Sequence, residues 1–388
     1  MDTHVDSKPG LEEFLRGRLA GPGALSFAEF MEHCLYHPQW GYYLAPRPRI
    51  GKEGDFFTSS SVHAVFGRLV FRQLRQMAEL LGGEVFTVVE QGAGEGHLAL
   101  DILDAAAEQA PQLYGRMRYL LIDIGEENRR RQERLLASHL AAGRVAWCTF
   151  AELDDLEGVF LSNELVDAFP VHLVEQVGEE LREVHVVWRE ERFQEELCPL
   201  SDPRIAAHLD ALGVRLRAGN RAEVNLNAAR WMEELGRKLR RGFVITIDYG
   251  YTAEELYTPL RRNGTLMCYH RHQSNENPLQ HPGCQDITSH VDFTTLQRCG
   301  EKHGLQPLFF GPQYRFLLGL GFAEMLMELE AREADPHQAR KLRLTLKNLI
   351  MPEQGMGETF KVLVQGKAMG APQLLCRRTL SEIHLPGA

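Results

Sequence analysis

The chain has 388 residues, 44% of them hydrophobic and 25% charged, enough to build more than one sizeable core. Its net charge is −10, so the basic footprint of a general nucleic-acid binder is missing. Seven cysteines at irregular spacing, with no C-x-x-C pair, argue for free thiols in a reducing compartment and against a disulfide framework.

The first stretch, "MDTHVDSKPGLEEFLRGRLAG", carries acids and lacks an apolar h-region, so neither a secretory signal nor a transit peptide is expected. No apolar run reaches membrane-spanning length, and a cytoplasmic protein is expected. In "LSFAEFMEHCLYHPQWGYYL", Phe27, Phe30, Met31, Cys34 and Leu35 recur at helical steps. Ser26 with Glu29 has the form of a capping box. The Pro/Gly-rich loop "PRPRIGKEGDFFTSS" follows, and then a helix is predicted through Val65, Leu69 and Leu74.

From Val85 the pattern alternates. The apolar runs "VFTVV", "YLLIDI", "RVAWCTF" and "GVFLSN" read as buried strands, with helices predicted over His97–Ala110 and Glu126–Leu140. Strands joined by helices predict a parallel sheet covered on both faces. After Pro170, "VHLVEQV" and "REVHVVW" predict an antiparallel hairpin around "GEE". A helix over Asn227–Arg241 leads into "GFVITIDYG", a predicted return to the central sheet. "GTLMCYH" and "LQPLFFGPQYRFLLG" are the runs expected to complete that sheet, and 322–350 is predicted helical.

The stretch "TVVEQGAGEGHLALDILDA" places Gly92, Gly94 and Gly96 between a strand and a helix. That position lies at the carboxyl end of the first strand, where ligands of doubly wound sheets bind. The spacing is G-x-G-x-G and not the G-x-G-x-x-G of a dinucleotide site, and Glu90 precedes it. A carboxylate there suits a cationic group, such as the amine or sulfonium of S-adenosylmethionine. Asp123, ending "YLLID", is placed to accept the ribose hydroxyls; it stands too early to cap the helix from Glu126. In "LSNELVDAFP", Asn163, Glu164 and Asp167 bunch after the fourth strand, and a helical turn would put the two acids on one face. The segment 270–293 holds His270, His272, His281, Cys284 and His290, but its spacing fits no standard zinc site, and no metal is expected.

Together, "FMEHCLYHPQWGYY", "GDFFTSSSVHAVFG", "VVEQGAGEGHLALDIL", "FLSNELVDAFPVH", "FVITIDYG", "QDITSHVDF" and "MPEQGMGETFKVL" resemble the MidA-like class I S-adenosylmethionine-dependent methyltransferases, relatives of the mitochondrial complex I assembly-factor arginine methyltransferase. The resemblance runs from about Phe30 to Leu363. It implies an α/β fold: a Rossmann-like seven-stranded core with an N-terminal helical extension and an inserted α+β substrate lobe. The implied segments are 1–80 (extension and cofactor-covering loop), 81–170 (first part of the core), 171–225 (inserted lobe) and 226–388 (rest of the core and C-terminal helices). It implies S-adenosyl-L-methionine as cofactor, held by Asp55, Phe56, Thr58, Ser59, Glu90, Gly92 and Gly94, with Asp123 where relatives carry a glutamate. Asn163, Glu164 and Asp167 are the implied catalytic group. An arginine of a protein partner, of the respiratory-complex-subunit type, is the implied acceptor. Another acceptor, or a non-catalytic assembly factor keeping the fold, stays open. An aromatic of "GDFFTSS" is expected to cover the cofactor and exclude water.

Overall fold

The computed structural model describes residues 8–21, 23–44, 63–271, 273–351, 356–379 and 382. The chain divides into two compact units. One comprises Met1–Phe56, Val166–Met232 and Gly250–Arg298; the other comprises Phe57–Leu165, Glu233–Tyr249 and Cys299–Ala388. These units do not follow the four segments expected from the sequence. The N-terminal helices join the inserted lobe because they share its core, while the helix from Val65 belongs to the sheet.

The sheet unit is built on seven strands, numbered here in chain order: β1 (Phe86–Gln91), β2 (Met117–Ile122), β3 (Val145–Trp147), β4 (Leu156–Asn163), β5 (Leu239–Tyr251), β6 (Gln306–Pro312) and β7 (Phe360–Lys367). Their order across the sheet is β6-β7-β5-β4-β1-β2-β3. β1 to β5 run parallel, and β7 lies antiparallel to both neighbours. The chain steps from β1 outward to β3, then returns to place β4 on the other side of β1. The β1/β4 pair is therefore the switch point, where the connecting loops part and a ligand can sit beyond the strand ends.

The helix Val65–Leu81 buries Phe66, Leu69, Val70, Leu74, Met77 and Ala78 at three- and four-residue steps. They pack in one core with Val88, Tyr119 and Leu121 of β1 and β2, Val159 and Leu161 of β4, and Ile245 and Ile247 of β5. The predicted helix over 126–140 is two pieces, Glu126–Leu135 and Ala137–Ala141, parted at Leu136. "GTLMCYH" does not complete the central sheet. Its Met267–His270 pairs with Gln273–Asn275 and Asp286–Thr288 in a separate three-stranded sheet. The place next to β5 is taken by β7, "FKVLVQGK", whose alternation was masked by buried polar residues such as Gln365.

In the other unit, Ser26 caps the helix Phe27–Tyr36 with Glu29 closing the box. The hairpin of His172–Val177 and Glu180–Arg189 forms as its turn signal predicts. Leu25–Ser26 adds to its second strand, at Val186 and His185, which draws the N-terminal helices into this unit. Leu15, Phe27, Phe30 and Met31 share a core there with Val171, Val184 and Val186. Among the described residues no helix is long and apolar enough to cross a membrane.

Candidate active site

The site on the sheet unit starts from the end of β1. Glu90 is 2% exposed, and its Oε2 accepts a 2.6 Å hydrogen bond from the Tyr119 hydroxyl on β2. Burial pushes its carboxyl up to about 7; the tyrosine bond works against this rise and the nearby charge of Asp123 adds to it. A carboxyl so placed gains from the arrival of a cation. The backbone then turns through Gly92, Gly94 and Gly96 with φ of 75°, 55° and 92°, a conformation that side-chain-bearing residues rarely adopt. A Cβ at Gly92 would also lie 2.9 Å from Leu165 Cδ1, so that glycine admits the chain leaving β4 as well as leaving the loop bare. The helix His97–Gln109 begins on Gly96 without a side-chain cap. A helix start of this kind favours the negative end of a ligand.

Asp123 follows β2. Its Oδ1 accepts from the Ile124 N–H at 2.7 Å and from Asn128 Nδ2 at 3.0 Å, and its Oδ2 accepts from Gln132 Nε2 at 3.0 Å. Gly125 occupies the cap position of the next helix, so Asp123 is not that cap. Gln132 escaped the sequence reading. It is fully buried, its Nε2 also donates to the Gly94 carbonyl at 2.8 Å, and its Oε1 accepts from Trp147 Nε1 at 2.7 Å. One amide thus ties the glycine loop, the acid after β2 and the end of β3 together. A lone glutamine in "NRRRQERLL" carries no signal of this; only its place on the inner face of the helix reveals it.

The third element is the end of β4. Asn163 closes the strand, and Glu164 takes φ of 54°. The shared helical face expected for Glu164 and Asp167 does not form, because the chain leaves β4 through a left-handed residue and no helix spans 163–170. Glu164 and Asp167 also fall in different compact units, with Leu165 and Val166 between them in sequence. On the sheet unit, Glu164 Oε1 accepts from Asn163 Nδ2 at 3.0 Å, and Oε2 accepts from the Tyr249 hydroxyl at 3.2 Å. The Glu164 N–H donates to the Ile247 carbonyl at 2.9 Å, and the fully buried Asp248 accepts the Leu165 N–H at 3.2 Å. Tyr249 and Asp248 lie in "FVITIDYG", whose pattern predicts a strand and whose block carries part of the family resemblance, but neither residue stands out there as a site residue.

On the other unit, Asp167 is buried, and its carbonyl accepts the Ser289 N–H at 3.0 Å. Tyr43 donates to Asp286 Oδ1 at 2.7 Å. Burial pushes the Tyr43 hydroxyl well up, and the charge of Asp286, the neighbouring Tyr36 and the charge of Asp167 add to the rise. Asp286 sits in "QDITSHVDF", where the sequence gives it no signal apart from the rest of the block. In the histidine-rich segment, His270 stacks on His281 at 4.9 Å and His290 lies against Tyr251 at 5.4 Å. Among the described residues no cluster of three or more histidine, cysteine or acidic groups has metal-holding geometry, and His272 lies outside them. Asp55, Phe56, Thr58 and Ser59, with the covering loop, also lie outside the described residues.

A family profile of S-adenosyl-L-methionine-dependent methyltransferases matches residues 65–311. The chain belongs to this family. It is 31% identical to a Burkholderia thailandensis protein solved with bound S-adenosyl-homocysteine, covering 95% of this chain and 94% of that one at a TM-score of 0.86. It is 27% identical to the mitochondrial protein arginine methyltransferase NDUFAF7 homolog of Drosophila melanogaster, over 91% of this chain and 84% of the relative. The mouse protein arginine methyltransferase NDUFAF7 is 26% identical, over 88% of this chain and 81% of the relative. The residues fit the cofactor these comparisons imply. A bare glycine turn, an uncapped helix start and a buried carboxyl held near 7 form a cradle for a ligand bearing an ammonium group and a carboxylate.

Proposed function

We propose that this methyltransferase modifies an arginine side chain of a protein partner, with Glu164 receiving the guanidinium. The observation that carries this is the carboxylate fixed at the end of β4, beside the switch point, by Asn163 and Tyr249. The naming of the relatives as protein arginine methyltransferases supports it. On the same reading, Glu90 meets the cofactor's cationic end, Gly92 and Gly94 leave room for its backbone contacts, and Asp123 accepts the ribose hydroxyls. A respiratory-complex subunit is the target class that the family resemblance of the sequence implies.

When bound, S-adenosylmethionine supplies an electrophilic methyl: the C–N bond forms as the S–C bond breaks, and the electron pair stays on sulfur. A guanidinium is charged at neutral pH, and its lone pairs are delocalised. Glu164 supplies a planar acceptor that holds one edge of the fork and localises the positive charge on the nitrogens it contacts. That leaves the remaining ω-nitrogen to attack, and its proton then departs toward the carboxylate or water. Asp167 belongs to the buried acid and tyrosine cluster of its own unit, so the two-carboxylate clamp on one helical face is replaced by a single carboxylate held by two neutral donors.

The test is mass spectrometry of methylarginine in the native proteome, with and without this protein, and with Glu164→Gln restored in its place. Loss of one or a few methylarginine sites in both the deletion and the Glu164→Gln strain is expected. A proteome unchanged on deletion would remove the arginine assignment.

A further inference from the structure

We infer that Tyr249 is a positioning residue for methyl transfer: through its hydroxyl it sets the orientation of the Glu164 carboxylate. The inference rests on the reading of Glu164 given above. Three ties fasten the end of β4 to the end of β5. The Glu164 N–H reaches the Ile247 carbonyl, the Leu165 N–H reaches Asp248 Oδ2, and the Tyr249 hydroxyl reaches Glu164 Oε2 at 3.2 Å. The first two fix the backbone, and the third holds a terminal oxygen of the acid from another strand. Glu164 holds a left-handed φ of 54°, a conformation strained for a residue with a side chain. Such strain persists where surrounding contacts over-determine it.

Tyr249 is itself immobilised. Its N–H donates to Asp248 Oδ1 at 2.9 Å, and its ring lies 4.1 Å from that of Phe360, its direct partner on β7. A hydroxyl on a ring held this way is a fixed donor. It restricts the carboxylate to orientations that keep the bond. Asn163 Nδ2 occupies Oε1, so the two donors engage one oxygen each. The placement is specific to a hydroxyl: phenylalanine would keep the packing on Phe360 and lose only the bond.

The experiment uses the full-length protein, tritium-labelled S-adenosylmethionine and, as acceptor, heat-treated lysate of cells lacking the protein. Label in methylarginine is measured at limiting lysate for the parent, Tyr249→Phe, Glu164→Gln and the double variant, beside calorimetric titration with S-adenosylhomocysteine. Tyr249→Phe is expected to lower the initial rate by about tenfold, the loss of one hydrogen bond to a charged group. In the Glu164→Gln background the same change is expected to cost nothing further, with S-adenosylhomocysteine affinity unchanged throughout. A wild-type rate, or a full tenfold further loss in the Glu164→Gln background, would overturn the inference, as would a loss of affinity equal to the loss of rate. Glu164→Gln run alongside separates the two ideas. An inactive Glu164→Gln with a wild-type Tyr249→Phe removes the role of Tyr249 alone, and an active Glu164→Gln removes both.

Discussion

Two glutamates at the ends of paired strands each take a hydrogen bond from a tyrosine of the next strand outward: Glu90 of β1 from Tyr119 of β2, and Glu164, just past β4, from Tyr249 of β5. The bonds differ in length, 2.6 Å against 3.2 Å, and the surroundings differ more. Glu90 is nearly inaccessible, accepts the tyrosine bond on Oε2, and has a carboxyl raised by burial to about 7. Glu164 is half-buried, stands on a strained residue and has a donor on each oxygen. The same pairing therefore sits in two settings. On the proposed function, the one behind the glycine loop holds a carboxyl for the cofactor's cationic end, and the one at the tip of β4 holds an acid for the guanidinium.

The comparison breaks first at turnover. Glu164→Gln is expected to cut methyl transfer by ~100-fold, the loss of one electrostatic stabiliser, while calorimetry finds S-adenosylhomocysteine affinity nearly intact. A parallel loss of affinity would move Glu164 into the cofactor cradle and erase the contrast with Glu90.

The cradle side is tested by Asp123→Ala. Removing two hydrogen bonds to a charged acceptor should weaken S-adenosylhomocysteine binding at least tenfold. Unchanged affinity in a folded variant would leave Asp123 as a local tie to Ile124, Asn128 and Gln132.

The two glutamates should also separate by pH. With the Glu90 carboxyl near 7, the anion that a cationic ligand needs is scarce at pH 6 and prevalent at pH 8, so affinity for S-adenosylhomocysteine should rise about tenfold over that interval. Glu90→Gln should flatten this rise. Stability runs the other way: the folded-state value lies above the ordinary 4.5, so the folded protein loses stability as pH rises from about 4.5 through 7. Glu90→Gln should accordingly melt higher than the parent at pH 8 and show no such gain at pH 4.5. Equal melting at both pH values would mean that Glu90 is solvated in solution.

The smallest effect sharpens the cradle. Gln132→Leu keeps the bulk and removes three hydrogen bonds, one of them to Asp123, and should weaken S-adenosylhomocysteine severalfold without touching the turnover rate at saturating S-adenosylmethionine. A fall in that rate would show that the β1 and β4 ends are coupled.

Much of this was legible from local pattern. "TVVEQGAGEG" announces a strand, a turn needing positive φ and a helix, because glycine's freedom and the change of hydrophobic period are properties of neighbours in sequence. The capping box at Ser26 and the hairpin at 172–189 were readable for the same reason. The partners of the key acids were not. Tyr119 is 29 residues from Glu90, and Tyr249 is 85 residues from Glu164, and nothing in a single sequence says which strands lie side by side.

What the residues determined unaided was the set of parts: alternating strands and helices, a glycine turn preceded by an acid, and a cluster of polar residues after the fourth strand. The tertiary structure decided how they combine. It placed β7 between β5 and β6 and gave the N-terminal helices to the lobe unit. It also turned Glu164 out of the expected helix, since the left-handed residue is fixed by bonds to β5 and not by its own neighbours. Local propensity acts over a few residues, whereas strand order, burial and the state of a buried carboxyl depend on groups that only folding brings together.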